Sequence, residues 1–63
     1  MREEFATFVA QMYAYKGSVG RAYMPDGSWV DLEKDECYDI QSDKRYRIVK
    51  CDDGICLEEV EDV

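Results

Sequence analysis

The segment RAYMPDGSWVD, residues 21–31, decides how this chain folds. Apolar and polar side chains alternate on both sides of Pro25-Asp26-Gly27, which is the period of a β-strand. A proline at the second turn position and a glycine in the left-handed position are typical of a type I turn with a G1 bulge. The sequence therefore predicts a hairpin with strands over residues 18–24 and 28–32. Its cross-strand pairs are Arg21 with Asp31, Ala22 with Val30, and Tyr23 with Trp29.

The two faces of this hairpin differ in chemistry. One face is aliphatic and consists of Ala22, Met24, Val30 and Leu32. The other face carries Tyr23, Trp29 and Arg21, and such residues are enriched at the centres of protein interfaces. Two interpretations are open. In the first, the three residues form an aromatic hot spot for a partner. In the second, they are structural and either cover a barrel from a second side or pack against the helix.

Toward the N-terminus the pattern changes to the period of a helix, over about residues 3–16. The i, i+3, i+4, i+7 spacing of a buried helix face is followed by Phe5, Phe8, Val9 and Met12. Glu3 and Glu4 in the first turn and Lys16 in the last turn suit the helix dipole. Gly17 is a typical residue at which a helix ends.

A second apolar stripe follows the other side of this helix, at Ala6, Ala10 and Tyr13. A helix that is apolar nearly all round is usually buried on more than one side. A domain of this size buries only about 60 % of its unfolded surface. The rest of the chain is therefore too small to bury this helix on all sides. Either alanine is present as a good helix former, or the stripe contacts a second copy or another partner.

Three further strands are predicted toward the C-terminus, over residues 37–41, 45–51 and 55–60. Asp53-Gly54 lies between the last two and is a strong signal for a two-residue hairpin turn. This turn predicts Cys51 opposite Cys56, and it brings Arg47 within reach of Glu58 on one face.

One helix followed by a meander of four or five short strands predicts a single α+β domain over residues 1–63. A strongly bent meander of this size can close into a barrel, which removes exposed sheet edges. Residues 22–61 resemble SH3-like small barrels in topology, through the segments DLEKDECYDI (31–40), RIVKCDDG (47–54) and LEEVE (57–61). The resemblance implies a barrel. Binding of proline-rich peptides is not implied, because the paired tryptophans and the Pro-x-x-Tyr motif of that family are absent.

Charge is unevenly distributed along the chain, whose net charge is −7. Residues 26–43 hold seven acids and one lysine, residues 44–50 hold four basic residues and no acid, and residues 51–63 hold six acids and no base. One interpretation is ordinary solvated surface with cross-strand ion pairs. The other is a negative surface for a basic protein groove, at the extreme a DNA mimic whose carboxylates replace phosphates. That surface would consist of Glu33, Asp35, Glu36, Asp52, Asp53, Glu58, Glu59, Glu61 and Asp62.

The residue inventory argues against catalysis and cofactors. The chain has no histidine, the commonest general base, and we predict no catalytic residue, no metal site and no cofactor. Its three cysteines lack a C-x-x-C pair, which predicts reduced thiols in a cytosolic protein; a disulfide or redox switch at Cys51 and Cys56 is the alternative. The longest apolar stretch, residues 5–15, is too short to span a bilayer and lacks signal-peptide features. We therefore expect a soluble cytoplasmic protein.

These features predict a small acidic protein that binds another protein as an inhibitor or modulator. In size and charge the chain is analogous to accessory proteins of phages and mobile elements. Such proteins act on nucleic-acid machinery in the host cytoplasm. The expected partner has a basic surface, since the negative charge repels nucleic acid and anionic membranes. The alternative is a structural or assembly module that homodimerises through its N-terminal helix, with the charge serving only solubility.

Overall fold

The computed structural model describes residues 2–15, 20–52 and 54–60. Its elements are, in chain order, α1 (Glu3–Ala14), β1 (Arg21–Tyr23), β2 (Trp29–Asp31), β3 (Glu36–Asp39), β4 (Lys44–Cys51) and β5 (Gly54–Val60). The strands form one sheet in the order β1-β2-β3-β4-β5, and each neighbouring pair is antiparallel. The predicted α+β class, with an N-terminal helix and an antiparallel meander, is confirmed.

The sheet is open. Within the described residues β1 and β5 are its two edges, so the closure into an SH3-like barrel is not confirmed. The core lies between α1 and one face of the sheet, where Phe5 and Val9 are buried. Because the helix covers this apolar face, the sheet does not need to curl onto itself to bury it.

The β1–β2 hairpin has the predicted register. Arg21 pairs with Asp31, Ala22 with Val30 and Tyr23 with Trp29. In the turn, the N–H of Gly27 donates to the carbonyl of Met24 (3.0 Å), and the N–H of Met24 donates to that of Ser28 (2.7 Å). Gly27 has φ +98°, which only glycine adopts without strain. The turn chemistry of Pro25-Asp26-Gly27 thus set the register.

The hydrophobic core joins one helix face to the middle of the sheet. Phe5 and Val9 contact buried side chains from the three central strands: Val30, Cys37, Tyr46 and Ile48. The rings of Phe5 and Tyr46 lie 6.4 Å apart. Phe8 and Met12, predicted on the same helix face, pack partly buried against this cluster. Full burial of each such side chain contributes about 1.5–3 kcal/mol, so the core fixes α1 on this face.

The register predicted for the β4–β5 hairpin is wrong. Cys51 pairs with Gly54 rather than with Cys56, which lies opposite Val49. The shift amounts to two residues and so keeps every side chain on its predicted face. The predicted approach of Arg47 to Glu58 is confirmed, since the two are a direct cross-strand pair.

The helix ends at Ala14, two residues before its predicted end. Tyr15 is already extended, with φ −79° and ψ 98°. The predicted end at Lys16, the stop at Gly17 and the first two residues of the predicted strand 18–24 lie outside the described residues. No helix in the described ranges has the length and apolar character that crossing a membrane requires.

Candidate functional site

The sheet face opposite α1, here called the open face, carries two rows of side chains. Cross-strand pairing defines both rows. The aromatic row contains Tyr23, Trp29, Tyr38 and Arg45. The charge row contains Arg21, Asp31, Glu36, Arg47 and Glu58. Because directly opposed residues on one face interact, each row is a continuous strip across the strands.

Trp29 is the centre of the aromatic row, and it is covered. The guanidinium of Arg21 lies 3.7 Å from the ring centroid and that of Arg45 5.9 Å away. The ring of Tyr38 is at 6.1 Å. Trp29 is therefore only 9 % exposed, whereas Tyr23 is 62 % exposed. The predicted hot spot of Tyr23, Trp29 and Arg21 does share one face, but Tyr23 and Arg21 are the members that a partner can reach.

Asp31 anchors Arg21 over the indole. Its Oδ1 accepts the backbone N–H groups of Lys34 (3.1 Å) and Glu33 (3.0 Å), and its Oδ2 lies 3.5 Å from Nη2 of Arg21. The N–H of Lys34 above all, then that of Glu33 and the charge of Arg21, hold the pKa of Asp31 below its usual value. Asp31 thus stays ionised, caps the β2–β3 loop and orients the cation.

Three of the nine acids predicted to form one surface lie at the same end of the sheet. Glu33 and Asp35 in the β2–β3 loop and Asp52 in the β4–β5 turn are exposed. Since β2 and β4 run in the same direction, these connections lie at the same end of the sheet. We call Glu33, Asp35 and Asp52 the acidic end.

Three of the other six acids are described, and all three lie within strands. Glu36 and Glu58 flank Arg47 in the charge row. Glu59 lies near the opposite end of the sheet, where its Oε1 is 3.0 Å from Nζ of Lys44. Asp53, Glu61 and Asp62 lie outside the described residues. The interpretation as a cross-strand ion pair therefore describes Glu59. Glu36 and Glu58 lie opposite Arg47 in register but form no ion pair with another described residue.

A buried ion pair that sequence reasoning missed joins the start of α1 to β3. Asp39 has no exposed surface, and its Oδ1 accepts a hydrogen bond from Nη2 of Arg2 at 2.7 Å. Arg2 also reaches Asp26 at 3.1 Å. The hydrogen bond from Arg2, followed by the N–H of Gln41, holds the pKa of Asp39 below its usual value despite burial. Alternation in the predicted strand 37–41 puts Tyr38 and Ile40 on the more apolar side and Asp39 on the other, so the sequence pattern did not indicate that Asp39 is buried.

A polar cleft of about 500 Å³ lies at this same end of the sheet. It is lined by Tyr38, Asp43, Lys44, Arg45, Glu59 and Val60. The hydroxyl of Tyr38 donates to Oδ1 of Asp43 at 2.7 Å, which raises the pKa of Tyr38. A raised phenol pKa disfavours the phenolate, so this tyrosine is not prepared as a nucleophile at neutral pH.

The predicted helix stripe is exposed. Ala6 and Ala10 lie on the solvent side of α1, and Tyr13 is 36 % exposed. In the described chain α1 therefore buries only the face that contacts the sheet.

The expectation of three reduced cysteines needs correction. The structure joins Cys51 and Cys56 in a disulfide, with Cα atoms 5.8 Å apart. Both residues are exposed on the last hairpin, where a two-residue offset still brings the side chains together on one face. Cys37 is free and buried, and desolvation together with Asp39 and Glu36 raises its pKa to about 12. Among the described side chains, no group of three or more could hold a metal ion.

Comparison of the chain with protein-family models, with curated proteins and with solved structures finds no match. Function must therefore be argued from the residues themselves.

Proposed function

We propose that this protein is a small acidic inhibitor or modulator, without enzymatic activity, that binds a basic surface of another protein. The main support is the distribution of its ion pairs. At one end of the sheet, Arg2 and Lys44 neutralise acidic side chains. At the acidic end, Glu33, Asp35 and Asp52 are exposed and form no ion pair with another described residue.

The acidic end acts through its field rather than through one strong contact. An exposed ion pair contributes only about 0–1 kcal/mol, and Lys34 and Lys50 at the same end offset part of the charge. The chain nevertheless carries a net charge of −7. Such a charge accelerates association with a basic surface and makes binding sensitive to salt.

Arg21 and Tyr23 extend the proposed interface onto the open face. Arg21 belongs to the charge row, which is the row closer to the acidic end, and Tyr23 presents its ring to solvent. A tyrosine and an arginine on a rigid strand give contact area at low conformational cost. The acidic end would thus steer a partner that these side chains then hold.

Inhibition of nucleic-acid machinery by DNA mimicry is the most specific form of this proposal. It requires that the partner use the same basic groove for phosphates and for Glu33, Asp35 and Asp52. We place this activity in the cytoplasm, which would be the host cytoplasm for a phage or mobile-element protein. Stable disulfides are rare in that compartment. If the location is right, rapid alkylation of intact cells should modify both Cys51 and Cys56, and the mass of the purified protein measures this.

A matched pair of variants tests the binding surface. The first neutralises the acidic end with Glu33→Gln, Asp35→Asn and Asp52→Asn; Asp35 has φ +54°, which asparagine tolerates. The control neutralises three exposed acids elsewhere with Glu3→Gln, Glu4→Gln and Asp43→Asn, and reaches the same net charge; Asp43 also has φ +54°. Proteins that the tagged wild type retains from a cell lysate at low salt should be lost with the first variant and kept with the control. Equal retention by both variants would contradict the proposed surface.

Competition with nucleic acid separates DNA mimicry from other modes of inhibition. Duplex DNA should displace a partner that uses its nucleic-acid groove, and it should do so in proportion to its own affinity for that groove. If the partner stays bound at saturating DNA, DNA mimicry is rejected, whereas binding of a partner through the acidic end is not.

An assembly module is the second candidate, and the exposed stripe of α1 favours it. Ala6 and Ala10 are small enough to allow close helix approach, and Tyr13 adds apolar area. If two copies meet there, light scattering should give a concentration-dependent dimer that Ala10→Glu dissociates and Gln11→Glu leaves intact. A monomer at all concentrations removes this candidate.

A further inference from the structure

We propose that the outer edge of β5 takes up an extended lysine- or arginine-containing segment of the partner as a sixth strand, antiparallel to β5. The inference rests on the proposed function and specifies the chemistry and conformation of what is bound. β5 spans Gly54–Val60 and is an edge strand of the described sheet.

The backbone of β5 has alternate polar groups directed away from β4. The N–H of Ile48 on β4 donates to the carbonyl of Asp35 at 2.7 Å, on the β3 side. Leu57, which is paired with Ile48, is therefore in a non-hydrogen-bonded pair, and its own N–H and C=O point outward. By alternation, Ile55 and Glu59 also direct their backbone groups to the outer edge. Three consecutive alternate residues thus offer a template for another strand.

The length of β5 makes it the more suitable of the two edges. It has seven residues, against three in β1, and extends about 23 Å at the usual rise per residue. It contains none of the proline or lysine residues that commonly protect a sheet edge. A peptide along β1 could pair with only one or two outward residues, whereas β5 can hold a segment of five or six.

Strand β4 shows which side chains pair with β5. On the open face, Arg47 lies opposite Glu58, and on the helix face Lys44 contacts Glu59 at 3.0 Å. Leu57 and Ile55 are half-buried and complete an apolar rim on the helix face. An added strand meets the same two carboxylates from the other side. It therefore needs basic residues near Glu58 and Glu59 and an apolar residue near Leu57.

Charge favours a basic segment over a second copy of this chain. Two copies joined through β5 would bring Glu58 and Glu59 of each chain into one short junction, and each molecule carries a net charge of −7. Like charges at such distances destabilise strand pairs. The same carboxylates that discourage self-association attract a cationic strand, which is how specificity is often built into an edge.

The probe is a capped peptide with the sequence KRYRIVK, identical to residues 44–50, and its control carries glutamate at each basic position. Amide hydrogen exchange of the intact protein is followed residue by residue. At nine-tenths occupancy the amides of Ile55, Leu57 and Glu59 should exchange about tenfold more slowly. Those of Cys56 and Glu58 face β4 and should change little. The acidic peptide should protect none of them.

Two substitutions at one position separate backbone pairing from charge. Glu59→Gln keeps the outward N–H and should weaken peptide binding about two- to threefold. Glu59→Pro also removes that N–H, without touching the β4–β5 ladder, and should weaken binding about tenfold. If Glu59→Pro unfolds the protein, replacement of the Leu57 amide by an ester through chemical synthesis removes an outward donor and keeps every side chain.

The outcomes distinguish this inference from the proposed function. Protection confined to Ile55, Leu57 and Glu59 with the basic peptide supports strand addition. Binding that perturbs Glu33, Asp35 and Asp52 but leaves the edge amides unprotected overturns strand addition and leaves the acidic surface standing. Protection that appears without peptide and grows with protein concentration overturns it in favour of a second copy. If the basic peptide does not bind the protein even at low salt, both proposals are overturned.

Discussion

Asp39→Asn removes one negative charge from the most deeply buried polar position of the sheet while keeping the shape of the side chain. In the wild type the carboxylate accepts Nη2 of Arg2 at 2.7 Å and Nε at 3.2 Å, as well as the N–H of Gln41 at 3.2 Å. An asparagine carbonyl can still accept one of these hydrogen bonds, but its amide group faces Arg2 with a donor.

The expected loss follows from these contacts. Hydrogen bonds to a charged group contribute about 1.5–3 kcal/mol, and breaking a fully buried ion pair costs about 3–5 kcal/mol. Arg2 is not isolated in the variant, because it is partly exposed and keeps Asp26 at 3.1 Å. We therefore expect Asp39→Asn to lower the free energy of unfolding by about 2 kcal/mol. For a domain of this size that corresponds to roughly 8–16 °C in Tm.

The pH dependence identifies the cause of this loss. The pKa of Asp39 is lower in the folded protein than in the unfolded chain, so its contribution is present above the unfolded pKa of about 3.9. That contribution disappears as the pH falls through the folded pKa. The difference between wild type and variant should therefore be full at pH 7 and shrink below about pH 4.

Urea denaturation followed by far-ultraviolet circular dichroism measures both effects. Asp26→Asn is the control, since it removes the outer carboxylate on the same arginine and keeps an oxygen that can accept the N–H of Ser28; it should change stability much less. A loss in Asp39→Asn below about 0.5 kcal/mol, within the range of ordinary surface substitutions, would refute the reasoning. A gap of the same size at pH 3 and pH 7 would refute its electrostatic origin.

Three further predictions concern the open face, the hairpin tip and the first turn. Arg21→Ala should uncover Trp29 and shift its fluorescence emission to longer wavelength, and by more than the same substitution at the more distant Arg45; equal shifts would argue against stacking of Arg21. Joint replacement of Cys51 and Cys56 by serine should destabilise the oxidised protein by about 2 kcal/mol, as expected for a loop this short, and dithiothreitol should abolish the difference from wild type. Gly27→Ala should cost about 1–3 kcal/mol in thermal unfolding, because φ is +98° and alanine is strained there; an unchanged Tm would contradict the left-handed turn.

Turn chemistry explains why one hairpin register could be predicted and the other could not. Pro25 fixes one backbone angle and Gly27 supplies the positive φ, so the β1–β2 pairing had one solution. In the last hairpin, registers with Cys51 opposite Cys56 or opposite Gly54 place every side chain on the same face. Hydrophobic patterning cannot separate them, and Asp53-Gly54 indicates a turn without fixing its first residue.

The candidate site was predictable in composition and only partly in geometry. Alternation along the first hairpin placed Tyr23, Trp29 and Arg21 on one face. It could not show that the guanidinium of Arg21 lies over the indole, because this depends on the side-chain contact with Asp31. Likewise, spacing indicated an acidic block but not that Glu59 pairs with Lys44 across strands. Charge pairs formed between strands require the register before they can be assigned.

The linear strand order has a consequence for how the chain folds. Each strand pairs with its neighbour in sequence, so every ladder closes a short loop, and such local contacts form quickly. Docking of α1 is the exception, since Arg2 and Asp39 are 37 positions apart and Phe5 needs Tyr46. During synthesis α1 emerges from the ribosome before the strands, and its apolar face has no cover from the sheet until β4 has been synthesised. We expect the meander to assemble before the helix docks, and the interval before docking to be the period in which the nascent chain is most exposed to aggregation.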